Sequence, residues 1–246
     1  MKNNQIVYRR SSKKMAAMIN AVLVFLVVCV GMLCFAPQQN SVNVDGDNAA
    51  LYRSGNVQSG GVSLLINVYW GSEEVHEMLK ILDKHQAKAT FFIGGCWADD
   101  NVDCLRAIYD AGHEIGNHGY FHKDHKKLSL AGNAQEIQTC NQFILQAIGV
   151  QPTLFAPPSG AYCDNTLSAA QQLNMKTILW SRDTIDWRDK DSALIYTRAT
   201  KNIQSGDFVL MHPMQATVNA LDDILKNYKS RNLSVITVTE NLRERG

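Results

Sequence analysis

From Val62 onward the chain alternates short apolar runs with stretches of helical periodicity, and this alternation constrains the fold more than any other feature. Strand candidates are Val62–Trp70, Ala89–Ile93, Glu114–His118, Thr153–Ala156, Thr177–Trp180, Phe208–His212 and Val235–Val238. Between them lie helical stretches at Ser72–His85, Val102–Ala111, Gln135–Ile148, Thr166–Leu173, Ala193–Ile203 and Val218–Tyr228. About seven βα units in the 185 residues from Val62 predict an α/β fold with a parallel sheet covered on both faces. Closure into a distorted (β/α)7-8 barrel is the economical arrangement, and in barrels of this kind chemistry gathers at the C-terminal ends of the strands.

The N-terminal part obeys different rules. Met15 to Ala36 runs for 22 residues without a charge, enough to cross the hydrocarbon core as one helix. Lys2, Arg9, Arg10, Lys13 and Lys14 precede it, and no basic residue follows until Arg53. The positive-inside rule then predicts a single-pass protein of the cell membrane, with residues 1–14 a cytoplasmic basic tail and everything beyond residue 36 extracellular. A cleaved signal peptide is the competing reading, but Pro37 directly follows the best small-residue site, so a retained anchor is expected. Residues 37–61 are rich in Asn, Ser, Gln and Gly and are expected to form a flexible stalk, leaving residues 62–246 as the folded domain. Taking the five leading cations from the 24 basic residues leaves 19 against 23 acidic ones, a balance of −4 that argues against nucleic acid as a partner. Outside the anchor stand Cys96, Cys104, Cys140 and Cys163. Exported, they could oxidise in any of three pairings; no CxxC spacing points to structural zinc.

Four of the seven histidines fall between His113 and His125. His118 and His122 lie just past a predicted strand end, with Gly119 allowing a tight turn, so both imidazoles can face one point and hold zinc or a similar divalent metal. A solvated His-rich loop is the alternative. Three other strand ends carry unusual residues: the Phe155-Ala156-Pro157-Pro158-Ser159-Gly160 turn, whose N–H groups could meet an oxyanion, the Asp183-Thr184-Ile185-Asp186-Trp187 segment, and His212, suited to general acid work.

Ala-Thr-Phe-Phe-Ile-Gly-Gly, Gly-His-Glu-Ile-Gly-Asn-His, Pro-Pro-Ser-Gly, Asp-Thr-Ile-Asp-Trp and Leu-Met-His follow one another in an order and spacing that resembles the NodB-homology polysaccharide deacetylases, carbohydrate esterase family 4. The resemblance covers Val62 to about Leu242. Trp70-Gly71-Ser72-Glu73-Glu74 and Asn117-His118-Gly119-Tyr120 look most like the sporulation-associated PdaB-like branch. The resemblance implies a NodB-type distorted barrel that hydrolyses N-acetyl groups, with a divalent metal held by an aspartate and two histidines and a second aspartate as base. Carried over, His118 and His122 are metal ligands, the Ser159 N–H, beside Pro158, helps hold the oxyanion, Trp187 lines the acetyl pocket, and His212 protonates the leaving amine.

The first and third motifs depart from that pattern. Where the family has Thr-Phe-Asp-Asp, one register puts Asn67 at the base position and Val68 at the metal-ligand position. A second register, matching Gly71 to the family's glycine, puts Tyr69 and Trp70 there. Neither supplies a carboxylate, and Asn cannot accept a proton from water near neutral pH. Ala156 stands where the family has an arginine, which leaves Asp183 without its usual cation and free to act as a base. The expectation is a rewired N-deacetylase acting on a cell-wall glycan, with peptidoglycan the first choice, and with Asp183, Glu73 or Glu74 replacing the lost carboxylates. The alternatives are a glycan-binding pseudoenzyme and a metal-independent amide hydrolase. The sequence does not fix the oligomeric state.

Overall fold

The computed structural model describes Met15, residues 18–23 and residues 51–243. Most of the expected anchor, the basic tail and the first part of the expected stalk lie outside the described residues. Met15 and residues 18–23 are helical, and no described helix is long and apolar enough to cross a membrane.

The strands are β1 (Leu51–Tyr52), β2 (Gly61–Val68), β3 (Thr90–Ile93), β4 (Glu114–Asn117), β5 (Leu154–Phe155), β6 (Lys176–Ile178), β7 (Arg182–Asp183), β8 (Phe208–Met211) and β9 (Ser234–Val235). The helices are α1 (Ser72–Lys84), α2 (Gly95–Asp100), α3 (Val102–Asp110), α4 (Leu130–Ile148), α5 (Asp164–Gln172), α6 (Asp186–Asp189), α7 (Ser192–Thr200), α8 (Gln215–Ser230) and α9 (Val238–Asn241). Every strand pair is parallel, in the order β1-β6-β5-β4-β3-β2-β8-β7, with β9 pairing the first two residues of β2.

The sheet does not close. β1 and β7 stand at opposite ends of the strand order and do not pair, so the expected barrel is a curled half-barrel. Both are two residues long. A second difference lies at the domain boundary. Residues 51–61, read from composition as stalk, belong to the fold: β1 pairs β6, Asn56 N donates to Asn241 O at 2.7 Å, and the buried Ser59 hydroxyl donates to Asn241 Oδ1 at 2.7 Å. Polar side chains that look solvated in sequence are here spent on long-range hydrogen bonds. The last expected strand also ends early, because Thr237 caps α9 with Glu240 in a reciprocal box, turning Val238 into a helical residue.

Strand β2 explains how the site is aimed. All eight of its residues are buried, as a central strand covered on both faces requires. Side chains alternate between faces. Leu64, Ile66 and Val68 pack with Val75, Met78 and Leu82 of α1 and Leu221 of α8 in the helix-side core. Leu65 faces the concave interior with Phe92, Leu154, Ile178 and Phe208, closed from below by Val238 of α9. Continuing that inner row by two residues puts Asn67 at the mouth of the curl, while Val68 points away from it.

Candidate active site

A cavity of about 290 Å³ opens at the C-terminal ends of the strands, lined by Asn67, Trp70, His118, His122, Ser159, Trp180, Asp183, Trp187, Leu210 and His212. All the site residues expected from sequence meet there except Pro158. That residue is buried behind Ser159, where a Cβ on Gly119 would lie 3.5 Å from its ring; it shapes the turn and does not line the cavity. Glu73 and Glu74 sit in the first turn of α1 and also stay outside the lining. Of the proposed replacement carboxylates only Asp183 reaches the cavity, with Oδ1 accepting from Ile185 N at 2.8 Å.

The two histidines past β4 are held by a buried amide. Asn117 Oδ1 accepts from Gly119 N at 2.7 Å, and its Nδ2 donates to Ile137 O and Asn141 Oδ1, both at 2.8 Å. Gly119 has φ 74°, which leaves room for His125 Nε2 close behind it. His118 is buried, and its Nδ1–H donates to Ala156 O at 2.7 Å, a pairing that leaves Nε2 as the lone-pair nitrogen. His122 follows with its ring centroid 5.1 Å from that of His118. Burial, followed by the neighbouring His122, pushes the His118 pKa down to about 3. Burial also lowers that of His122. Both imidazoles are neutral at neutral pH, as metal ligands must be.

The opposite wall is built around Asp186, which is fully buried. Its Oδ1 accepts from His212 Nδ1 and from Trp187 N, both at 2.8 Å, and its Oδ2 accepts from His212 N at 2.6 Å and Thr217 Oγ1 at 2.7 Å. Four donors fix one carboxylate, and the carboxylate fixes both the tautomer and the direction of His212. Sequence reading noted Asp186 as a carboxylate near the site but gave it no role. Its partner lies 26 residues away, and only the β7–β8 pairing brings the two together.

The first motif is where the site changes character. Val68 is a core residue of β2, and Gly71 adopts φ 78° where a Cβ would meet Pro213 O at 2.3 Å. Tyr69 and Trp70 are the positions that the register aligned on Gly71 brings to the first motif. The Tyr69 ring lies against His122, centroids 4.6 Å apart, and the Trp70 ring stacks on His212 at 5.5 Å with 9° between planes. Burial, with the charges of Cys96 and Glu136, raises the Tyr69 pKa, so the phenol keeps its proton. Asn67 lines the cavity from the strand below with Oδ1 buried and unpaired, a situation that costs about 1–3 kcal/mol when nothing occupies it.

Residues 55–178, half of the chain, match the family model described as polysaccharide deacetylase. The chain belongs to this family. Among its relatives, an uncharacterised protein of Bacillus subtilis, YlxY, is 38% identical over 86% of this chain and 66% of its own length. A peptidoglycan-N-acetylglucosamine deacetylase of Bacillus cereus is 31% identical over 65% of this chain and 61% of its own length. The chain thus spans just under two thirds of these two relatives. In structure, BA3943 of Bacillus anthracis, described as a CE4 family pseudoenzyme, superposes with a TM-score of 0.78 at 37% identity, covering 80% of this chain and 70% of that one.

Polysaccharide deacetylases generally depend on a metal, and the residues present here do not fit one. His118 and His122 come together, but among the described residues no group of three His, Cys, Asp or Glu side chains is placed to hold an ion. Asp183 lines the same cavity but forms no such group with them, Asn67 offers only a neutral amide, and catalytic zinc takes three protein ligands of the His, Cys or carboxylate type. The described cysteines offer nothing in exchange: Cys96, Cys104, Cys140 and Cys163 are all free thiols, so none of the three conceivable pairings forms. Ser159 stands at φ 55°, a left-handed conformation unusual for a residue with a Cβ, in the turn where an oxyanion donor was expected.

Proposed function

We propose that this polysaccharide deacetylase homologue binds an N-acetylated cell-wall glycan, peptidoglycan first among the candidates, and does not turn it over by the family's metal mechanism. The observation that carries the reading is the exchange at the first motif. Aromatic rings, Tyr69 and Trp70, lie against the imidazoles of His122 and His212 where the resemblance calls for two carboxylates. Activation of water by the family's metal mechanism needs a base and a Lewis acid; sugar binding needs flat apolar faces flanked by hydrogen-bonding groups. The cavity holds Trp70, Trp180 and Trp187 beside Asn67, Ser159 and Asp183, which is the second kind of lining. The description of BA3943 as a pseudoenzyme of the same family agrees with this choice.

On the same reading, the anchor at Met15–Ala36 would hold the domain at the outer face of the cell membrane, beside the wall. The charge asymmetry around that segment supports it. The placement within the PdaB-like, sporulation-associated branch rests on the two motifs quoted for it.

Co-sedimentation of the full-length chain with purified peptidoglycan sacculi tests the proposal. Saturable binding that is unchanged by EDTA and weakened about tenfold by Trp187→Ala is expected, since loss of a half-exposed aromatic platform removes contact area without disturbing the core. Binding that EDTA abolishes would overturn the metal-free reading.

A further inference from the structure

Asn67 is 4% exposed, and its Oδ1 has no hydrogen-bond partner among the described residues. It occupies the inner face of β2 two residues beyond Leu65, so strand geometry aims it into the cavity. A buried amide oxygen accepts hydrogen bonds and cannot give one, and a site that keeps such an atom unpaired discriminates strongly in favour of a ligand that brings a donor. We propose that Asn67 reads the acetamido N–H of a bound N-acetylhexosamine, which makes the site selective for N-acetylated glycan over the de-N-acetylated form. This assignment rests on the glycan-binding reading and names its specificity-determining residue.

The neighbourhood favours an amide over the other nitrogen donor that a wall glycan offers, an ammonium group. His118 lines the same cavity, with Nδ1–H committed to Ala156 O and Nε2 left as a second acceptor. Asp183 is the single carboxylate in the lining, and its Oδ1 already accepts from Ile185 N. An ammonium carried into the cavity would have to shed its water, whereas an amide arrives uncharged. The acetamide's methyl group also finds its match in Trp180, Trp187 and Leu210, which supply apolar surface in the same cavity.

The test is calorimetric titration of the full-length chain, in EDTA at pH 7, with tetra-N-acetylchitotetraose and with its fully de-N-acetylated counterpart. The acetylated tetramer should bind at least about tenfold more tightly. Asn67→Leu, similar in volume and without an acceptor, should lose about tenfold in affinity for the acetylated tetramer and approach parity between the two. Asn67→Asp keeps the shape and adds a charge, so it should shift the preference toward the de-N-acetylated tetramer, and it decides the matter should the leucine variant fail to fold. Equal affinity of the wild type for both tetramers would overturn the assignment, as would a wild-type preference retained in either variant. Where wild type binds and neither variant changes the preference, the Asn67 assignment alone fails. Where wild type binds neither tetramer and no sacculi, the glycan-binding reading fails and takes this one with it.

Discussion

The two walls of the cavity have had opposite fates. On the β7–β8 side, Asp186 collects four hydrogen bonds and aims His212, the residue that the resemblance casts as the proton donor. On the β2 side, both expected carboxylates are absent and aromatic rings cover the imidazoles instead. The difference follows from what each group does for the fold. Asp186 closes an α6 turn, ties β8 to the start of α8 through Thr217, and cannot be removed without stranding four donors. A carboxylate at Tyr69 or Trp70 would serve water activation, and the scaffold stands without it. Chemistry can be lost from the half of a site that carries no structural load.

The strongest challenge to that contrast is Asp186→Ala. Removing a fully buried carboxylate with four partners is expected to cost about 3–5 kcal/mol in chemical denaturation, the scale for breaking a buried pair. A loss below about 1 kcal/mol would show that this wall is as dispensable as the other. Trp70→Ala should behave in the opposite way. With the ring 40% exposed, stability should shift by no more than about 1 kcal/mol while glycan affinity falls about tenfold, since a stacked pair contributes about 0.5–1.5 kcal/mol.

Acid sharpens the contrast between buried and rim histidines. Burial, together with Lys88, lowers the His113 pKa to about 4, and burial lowers that of His118 to about 3. A histidine depressed in the folded state binds fewer protons there than when unfolded, so its stabilisation is full above the unfolded pKa of about 6.5 and is lost as pH falls below it. Unfolding free energy should drop between about pH 6.5 and pH 4 by about 1.4 kcal/mol per pH unit for each such histidine. His113→Gln should remove one such contribution from the slope. An unchanged slope would show that His113 does not stay neutral in the folded state.

The smallest effect belongs to the turn after β5. Ser159→Gly relieves a positive φ and is expected to change stability by less than about 1 kcal/mol, in the stabilising direction. A marked loss on thermal denaturation would mean that the serine side chain holds the turn.

Much of this was readable in sequence, for identifiable reasons. β2, β3, β4 and β8 are short apolar runs, and α1, α3, α4 and α8 carry helical periodicity strong enough to locate within a few residues. His118, His122 and His212 were legible because each directly follows a strand. β1 and β7 were not, since two residues carry no period, and their pairing is set by neighbours distant in sequence. Composition read Asn56 and Ser59 as linker because it cannot see that Asn241 is waiting for them. The role of Asp186 depends on a partner 26 residues away, which local spacing does not reveal. That Val68 lies in the helix-side core and Asn67 in the cavity follows from alternation along β2, which the motif spacing does not reveal.

The decisive measurement is acetate release from N-acetylated peptidoglycan by the full-length chain, with zinc and with EDTA, run beside sacculus binding on the same samples. Saturable binding with acetate at the buffer background in both conditions is the predicted result. Acetate release that disappears in His212→Ala, with or without metal, would contradict it and make the altered site a working catalyst.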